Sequence, residues 1–260
     1  MIARLWLLFS LAALCLYAQS ILYGRSATSG VGMADLEGDD FRAQRFNEEL
    51  LGQMKKRHPV FLDDALADTV TATMLMGRFS PEKVCADAPL FKRYKNGLWK
   101  EGRRVYQAVW GDVECFPVSG TKSFYEDSWL SPRGDGQRRH EGCDLFGEED
   151  EPGLYPVASM TRGKVEQAGW LPLGGYRIGV RSPSGGYFYY AHLDSYERDY
   201  KPGDEVKAGQ ILGFMGNTGY GPKGTAGEFP THLHLGIYVR TRNYEELSVN
   251  PYWVLRFLDS

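Results

Sequence analysis

Four of the five histidines in this 260-residue chain fall in three short motifs in its second half. These motifs contain His140, His192 and the pair His232 and His234. Imidazole nitrogens bind zinc and transfer protons in hydrolytic reactions, so histidines gathered in one region favour metal-assisted hydrolysis. The fifth, His58, stands beside a proline in a basic stretch, and we expect it to be an ordinary surface residue.

The first motif has the sequence HEGCD and places an imidazole, His140, four residues before a carboxylate, Asp144. In an extended strand their Cα atoms would lie about 13 Å apart, too far for both side chains to bind one zinc ion. A bend is therefore required, and Gly142 is placed to make it. Cys143 has no second cysteine two to four residues away, so we interpret it as a small buried side chain.

The last motif, THLHLGI from Thr231 to Ile237, alternates between polar and apolar residues. A strand would place His232 and His234 on one face and the leucines on the other. One histidine can then bind a metal while the other, about 7 Å along the strand, reaches the substrate. The residues alone do not decide which does which. The remaining motif, YFYYAHL, predicts a strand that ends at a single histidine, His192.

Glycine turns between short apolar runs predict an antiparallel β domain in the C-terminal half. The predicted strands cover residues 163–169, 175–182, 186–193, 209–215 and 232–239, with a hairpin turn at residues 184–186. The segment from Lys201 to Gln210 is typical of the turn-and-return element of barrel-sandwich hybrid folds (duplicated hybrid motif type). Between the sheet and the loops 147–155 and 217–230 we expect a groove for an extended peptide. Its candidate lining residues are Tyr189, Tyr190 and Tyr220.

The N-terminus predicts a membrane-anchor helix, because the apolar run from Leu5 to Ala18 continues, weakened, to Tyr23. Its length is close to the roughly 20 residues that span a bilayer. A cleaved signal peptide is the alternative, although the sequence LYA before residue 19 lacks the small-x-small pattern of a cleavage site. Either interpretation sends Arg25 and the residues after it out of the cytoplasm.

The region between the anchor and the β domain is predicted to be mostly helical. Residues 24–40 suggest a flexible stalk, residues 41–56 a helix capped by Asp39 or Asp40, and residues 63–76 a second helix. Residues 98–99 and 105–110 look strand-like.

Cys85 and Cys115 form either a disulfide or two separate buried thiols. The predicted divisions of the chain are an anchor or signal segment (1–24), a stalk with a mostly helical region (25–120) and the β domain (121–260). A net charge of -3 and a pI of about 6.0 argue against nucleic acid as a general partner.

The order of these motifs resembles a known signature. HxxxD, a later Ala-His-Leu and a final His-x-His are similar to the lysostaphin/LytM-type zinc peptidases of family M23, over about residues 124–255. The resemblance implies that His140, Asp144 and His234 bind one zinc ion, and that His192 and His232 form the catalytic pair. The glycine-rich turn GFMGNTG from Gly213 fits the same pattern. The first half of the chain has no counterpart in this resemblance.

Two histidines and one carboxylate would leave one coordination position open, as in catalytic rather than structural zinc sites. The resemblance therefore implies a zinc metalloendopeptidase that hydrolyses peptidoglycan stem peptides or cross-bridges outside the cytoplasm, either anchored or secreted. Two alternatives stay open. The chain can be a non-catalytic relative that binds peptidoglycan or activates another hydrolase, or an interaction protein of an envelope or sporulation complex.

Overall fold

The computed structural model describes residues 2–57, 64–77, 80–134 and 136–259, with the backbone alone at residues 2–3, 81–83 and 85–87. Helices occupy the first half of the described chain, and a short one closes its end. They are α1 (Ile2–Ala27), α2 (Asp39–Arg42), α3 (Glu48–Arg57), α4 (Asp64–Met76), α5 (Pro81–Tyr94), α6 (Asn96–Trp110) and α7 (Tyr252–Leu258). His58 lies outside the described residues.

Helix α1 confirms the predicted N-terminal apolar helix. From Arg4 to Ala27 it is long and apolar enough to cross a membrane, and none of its most apolar window is buried in the protein. Its C-terminal end touches α5, because a Cβ added to Gly24 would lie 2.1 Å from Cε2 of Tyr94. Glycine is therefore needed at this position so that the tyrosine ring can pack against the helix.

The segment predicted as a flexible stalk is folded, so that prediction is wrong. It contains the end of α1, a 3₁₀ turn over Met33–Glu37 and the start of α2. Leu36 is 5% exposed and packs in a small apolar cluster with Leu98 and Trp99. Gly and Ser content suggested flexibility, but the burial of one leucine holds the segment against α6.

The single helix predicted over residues 41–56 is divided into α2 and α3. Gln44 has a φ of 50°, which a right-handed helix does not accommodate, so the helix ends before it. Asn47 then starts α3 by accepting a hydrogen bond from the Leu50 amide with its Oδ1 (2.8 Å). Asp39 and Asp40 lie in the first turn of α2 rather than capping a long helix. The second predicted helix is confirmed as α4.

Helix α6 replaces the strands predicted at residues 98–99 and 105–110, and those two predictions are wrong. Its buried residues Leu98, Gly102, Val105 and Val109 recur every three or four positions, which is the helical period. The β-branched and aromatic content of the segment reflects burial of one helix face, not a strand.

The second half of the chain is an antiparallel sheet, which confirms the predicted fold class. Its strands are β1 (Pro132–Arg133), β2 (Arg138–Arg139), β3 (Cys143–Leu145), β4 (Pro156–Ala158), β5 (Gly163–Leu171), β6 (Gly175–Arg181), β7 (Tyr187–Tyr196), β8 (Glu205–Val206), β9 (Ile211–Met215), β10 (Leu233–Val239) and β11 (Leu247–Val249). The order β11-β10-β7-β6-β5-β8 forms the main sheet, β3 pairs with β10, and β9 bridges β4 and β7. The predicted hairpin turn joins β6 to β7, with the Ser182 amide bonded to Gly186 O (2.8 Å).

One hydrophobic core joins the helices to the sheet. Trp110 at the end of α6 is fully buried, stacks on Phe46 at 4.7 Å between ring centroids, and meets the edge of Phe257 in α7 at 6.1 Å. Its indole Nε1 donates a hydrogen bond to Oε1 of Gln44 (2.9 Å). The helical region is thus packed on the β domain, while the division predicted at residue 120 stays a prediction.

The cysteines whose side chains the structure describes form no disulfide. Cys115 is a free thiol whose Sγ donates to Ser159 O (3.0 Å), so it forms no disulfide, and the side chain of Cys85 lies outside the described residues. Cys143 is fully buried and its Sγ donates to Glu126 O (3.3 Å). It is a small buried side chain, as predicted.

Candidate metal centre and active site

Three of the predicted residues converge on one point beside β10. His140 follows β2, Asp144 lies in β3, and His234 lies in β10, where the strand register places it opposite Asp144. Nε2 of His140 lies 3.0 Å from Oδ1 of Asp144 and 2.9 Å from Nδ1 of His234. Nδ1 of His234 lies 3.0 Å from the same Oδ1. Two imidazole nitrogens and one carboxylate oxygen therefore form a close triangle.

Gly142 allows the triangle to form, because its lack of a side chain leaves room for the His234 ring. The chain bends at Gly142, as predicted, but its φ is not in the left-handed region. A Cβ added there would lie 2.5 Å from Leu235 O and 2.6 Å from Cε1 of His234. A larger residue would displace the His234 ring, so the glycine is required by close approach.

Partners outside the triangle orient its donors. Nδ1 of His140 lies 3.1 Å from Ser128 O, from Ser128 Oγ and from NH2 of Arg133. Donation from Nδ1 to the carbonyl would leave the lone pair of Nε2 facing the triangle. Arg133 of β1 donates to Oδ2 of Asp144 (2.7 Å), which leaves Oδ1 facing the two histidines. The arginine was not predicted to belong to the site.

His192 and His232 stand beside the triangle with their ring orientations fixed in the same way. Nδ1 of His192 lies 2.8 Å from Thr218 O, and Nδ1 of His232 lies 2.8 Å from Pro230 O. Each ring donates from Nδ1, so each Nε2 carries a free lone pair. The two ring centroids are 4.8 Å apart, and Nε2 of His232 lies 3.7 Å from Oδ1 of Asp144.

His192 has an unusual backbone conformation. Strand β7 continues through it to Tyr196, so the prediction that the strand ends at His192 is wrong. Its φ is 62°, in the left-handed region, and the pairing with β9 shifts register between Leu193 and Ser195. Such a conformation costs on the order of 1–3 kcal/mol and re-aims the side chain. The strain is located at a residue whose side chain faces the triangle.

The protonation states suit metal binding at neutral pH. Burial opposes ionisation of Asp144, but the neighbouring imidazoles of His140 and His234 hold its pKa well below the usual range. Burial, with the nearby charges of His232 and His234, lowers the pKa of His192 to about 3. Burial also lowers the pKa values of His232 and His234. The carboxylate is therefore charged and these three rings are neutral, with lone pairs available.

Two of the three tyrosines predicted to line the groove face the site. Tyr189 presents its ring edge to His234 at 6.0 Å, and Tyr220 is 44% exposed with its ring 6.0 Å from His192. Tyr190 is fully buried and its hydroxyl accepts a hydrogen bond from the Met160 amide (2.8 Å), so its prediction as a lining residue is wrong. Odd and even residues of β7 face opposite sides of the sheet, which separates Tyr189 from Tyr190.

Two phenylalanines complete the site and were not predicted. Phe146 stacks on His232 with centroids 5.1 Å apart, and Phe229 approaches the edge of His192 at 4.6 Å. Alternation continued one residue past the end of β3 indicates the first, since Phe146 stands two residues after Asp144. Phe229 lies in the predicted groove loop, but no pattern in that loop distinguishes it.

Comparison with known proteins assigns the family. A family model described as peptidase family M23 matches residues 138–251, which include the triangle and both neighbouring histidines. A crystal structure from Ruminococcus gnavus, provisionally named glycyl-glycine endopeptidase lytM, superposes with a TM-score of 0.73 and 43% identity, over 85% of this chain and 90% of that one. The chain belongs to peptidase family M23. Because 85% of the chain is covered, this relative also has a counterpart to part of the helical region of this M23 chain.

Curated relatives are similar over shorter stretches. The L-Ala–D-Glu endopeptidase of Bacillus subtilis (strain 168) is 41% identical over 166 residues, which is 62% of this M23 chain and 49% of that protein. Lysostaphin of Staphylococcus simulans is 41% identical over 83 residues, 31% of this chain and 16% of that protein. The chain thus spans half or less of the length of these curated relatives.

Proposed function

We propose that this M23 chain is a zinc-dependent endopeptidase that hydrolyses peptide bonds in the stem peptides or cross-bridges of peptidoglycan. The observation that carries the proposal is the triangle of His140 Nε2, Asp144 Oδ1 and His234 Nδ1, whose sides are 2.9–3.0 Å. Two imidazoles and a carboxylate are a usual ligand set of catalytic zinc, which keeps a fourth position open.

The triangle fits zinc in size as well as in chemistry. Donors at the usual distances from one tetrahedral zinc ion lie about 3.3 Å apart, so each side would lengthen by only a few tenths of an ångström. Nε2 of His140 would present its lone pair to the metal when Nδ1 donates to Ser128 O. Arg133 holds the outer oxygen of Asp144, as residues around metal ligands commonly do.

The roles of the remaining histidines follow from their orientation. A bound zinc ion supplies a Lewis acid that polarises the scissile carbonyl and lowers the pKa of water. His192 and His232 present unprotonated Nε2 atoms, which we assign as acceptors of the proton of the attacking water. The ring that accepts this proton would then donate a hydrogen bond to the oxyanion and return the proton to the leaving amine. Carbonyls at Nδ1 keep both rings in place.

The substrate and location are assigned from the relatives together with α1. The names of the relatives specify two kinds of peptide bond, L-Ala–D-Glu and glycyl-glycine. We assign peptidoglycan as the partner and place the site outside the cytoplasm. Helix α1 would attach the protein to the membrane, or be removed as a signal peptide in a secreted form.

The test measures bound zinc and the release of new amino groups from purified peptidoglycan, using the full chain in detergent. Wild type is expected to hold about one zinc and to release amines, whereas His234→Ala does neither. Glu141→Ala is the matched control, because it changes an exposed residue within the same motif. Zinc without cleavage would instead support a non-catalytic binding or activating protein. A wild-type protein that binds no zinc would refute the metal assignment.

A further inference from the structure

The hairpin of β1 and β2 carries two arginines that reach different parts of the site. Arg133 pairs with Asp144 in the triangle (2.7 Å). Arg138 reaches instead across to the loop 217–230, where its Cζ lies 5.3 Å from the ring centroid of Tyr220. Its NH2 also donates to the Tyr220 hydroxyl (3.3 Å). The ring and its hydroxyl therefore fix the position of the Arg138 guanidinium.

Tyr220 connects this guanidinium to the reacting groups. Its ring centroid lies 6.0 Å from that of His192 and 5.0 Å from that of Phe229, which in turn contacts both His192 and His232. The φ of Tyr220 is 54°, an unfavourable conformation for an aromatic residue that the surrounding loop maintains. The guanidinium of Arg138 is thus held one aromatic ring away from His192.

The charge of Arg138 has no partner among the described carboxylates. Two of the other half-buried arginines do have one, since Arg181 pairs with Glu166 (2.6 Å) and Arg103 with Asp68 (2.6 Å). Asp135 of the same hairpin lies outside the described residues. A guanidinium that rests on an aromatic face and has free N–H groups is well suited to bind a planar carboxylate. We expect the substrate to supply such a carboxylate.

We propose that Arg138, positioned by Tyr220, is a specificity residue that binds a carboxylate of the substrate next to the scissile bond. The inference rests on the proposed peptidase function and selects its substrate class. A glutamate whose nitrogen belongs to the scissile bond has two carboxyl groups, and only one of them continues the chain. The other stays free near the cleaved bond, whereas a glycine bridge offers no charge. The preferred substrate is therefore an acidic stem peptide cut at L-Ala–D-Glu.

The test compares three peptides with the zinc-loaded full chain in detergent. They are an L-Ala–D-Glu–L-Lys peptide extended through the γ-carboxyl, the same peptide with its free α-carboxyl amidated, and pentaglycine. Wild type should cut the acidic peptide with a kcat/KM about 10- to 100-fold above that for the amidated one, the range of a hydrogen bond to a charged group. Arg138→Gln should abolish this preference and change cleavage of the amidated peptide by less than about threefold.

The neighbouring Arg139 provides the matched control. It is exposed, lies on the other face of β2 and makes no ion pair within the described part of the chain. Arg139→Gln removes the same charge and should keep the wild-type preference. A purely structural role of Arg138 would lower the cleavage of both stem peptides equally and leave their ratio unchanged, which would overturn the proposal.

Two further outcomes separate this inference from the function on which it rests. Wild type that cuts pentaglycine, or both stem peptides equally well, overturns the role of Arg138 and leaves the peptidase function standing. Wild type that cuts neither these peptides nor purified peptidoglycan overturns both.

Discussion

The β domain supplies the polar side chains of the site, and the helical region supplies mainly apolar packing. In the β domain, polar side chains are held by main-chain carbonyls, as His192 is by Thr218 O and His232 by Pro230 O. In the helical region the buried residues are mostly apolar, and Trp110 joins them to the core of the sheet. The comparison teaches that chemistry and stability rest on separate sets of residues, although a single core connects them.

The largest effect should come from removing a donor of the triangle. Asp144→Ala is expected to lose zinc and to lower kcat/KM by more than about 10⁴-fold, because the proposed metal would supply both the activated water and the polarised carbonyl. Zinc content and peptidoglycan cleavage measure the effect, and Glu141→Ala should resemble wild type. Tight zinc retention by Asp144→Ala would show that the ligand assignment is incorrect.

Removing a neighbouring histidine should separate catalysis from metal binding. His192→Ala is expected to keep about one zinc and to lose about 10²- to 10⁴-fold in kcat, the usual contribution of a positioned proton-transfer group. The measurement is the rate of amine release at saturating peptide, with zinc determined on the same sample. Full turnover by this variant would remove His192 from the catalytic pair.

The helical side of the comparison is tested at Trp110. Trp110→Ala should lower the free energy of unfolding by about 3–5 kcal/mol, because a large buried side chain is removed. The folded fraction should still bind zinc, since no donor of the triangle contacts this ring. Urea unfolding followed by circular dichroism measures the change, and Tyr244→Ala, at an exposed position, should shift the free energy by less than about 0.5 kcal/mol. Loss of zinc from folded Trp110→Ala would contradict the separation.

The smallest effect is a pH dependence of the metal-free protein. Burial lowers the pKa of His192 to about 3, below its usual value of 6.5. The unfolded chain therefore binds more protons than the folded protein between these values, and stability falls as the pH drops through this window. His192 alone should contribute about 2 kcal/mol of loss between pH 7 and pH 5. Urea unfolding of EDTA-treated wild type and His192→Gln checks this, and equal slopes would contradict it.

The sequence predicts more of the β domain than of the helical region, for a physical reason. Strand alternation and glycine turns are local signals, so β5, β6 and β10 were located within two residues at each end. In the helical region, α6 carries β-branched and aromatic residues because one face is buried, and local propensity was misleading there. The folded segment around Leu36 was missed because its order depends on contacts with α6, far away in sequence.

Within the site, residue types were predictable but orientations were not. The clustered histidines and Asp144 indicate metal chemistry. The two-residue spacing of His232 and His234, however, does not tell which of them binds the metal. Their difference depends on which ring nitrogen faces the triangle, and that follows from the strand register with β3 and from Pro230 O. Arg133 and Arg138 carry no signal that distinguishes them from surface arginines, because their partners come from other strands and loops.

The contact between Gly24 and Tyr94 limits how far the peptidase can reach. If α1 is inserted in a bilayer, the five residues between Ala27 and Met33 span at most about 18 Å when fully extended. The contact with Tyr94 shortens the distance between α1 and the folded region further, because it holds α5 against the end of α1. An anchored protein of this geometry would hold its active site close to the membrane surface.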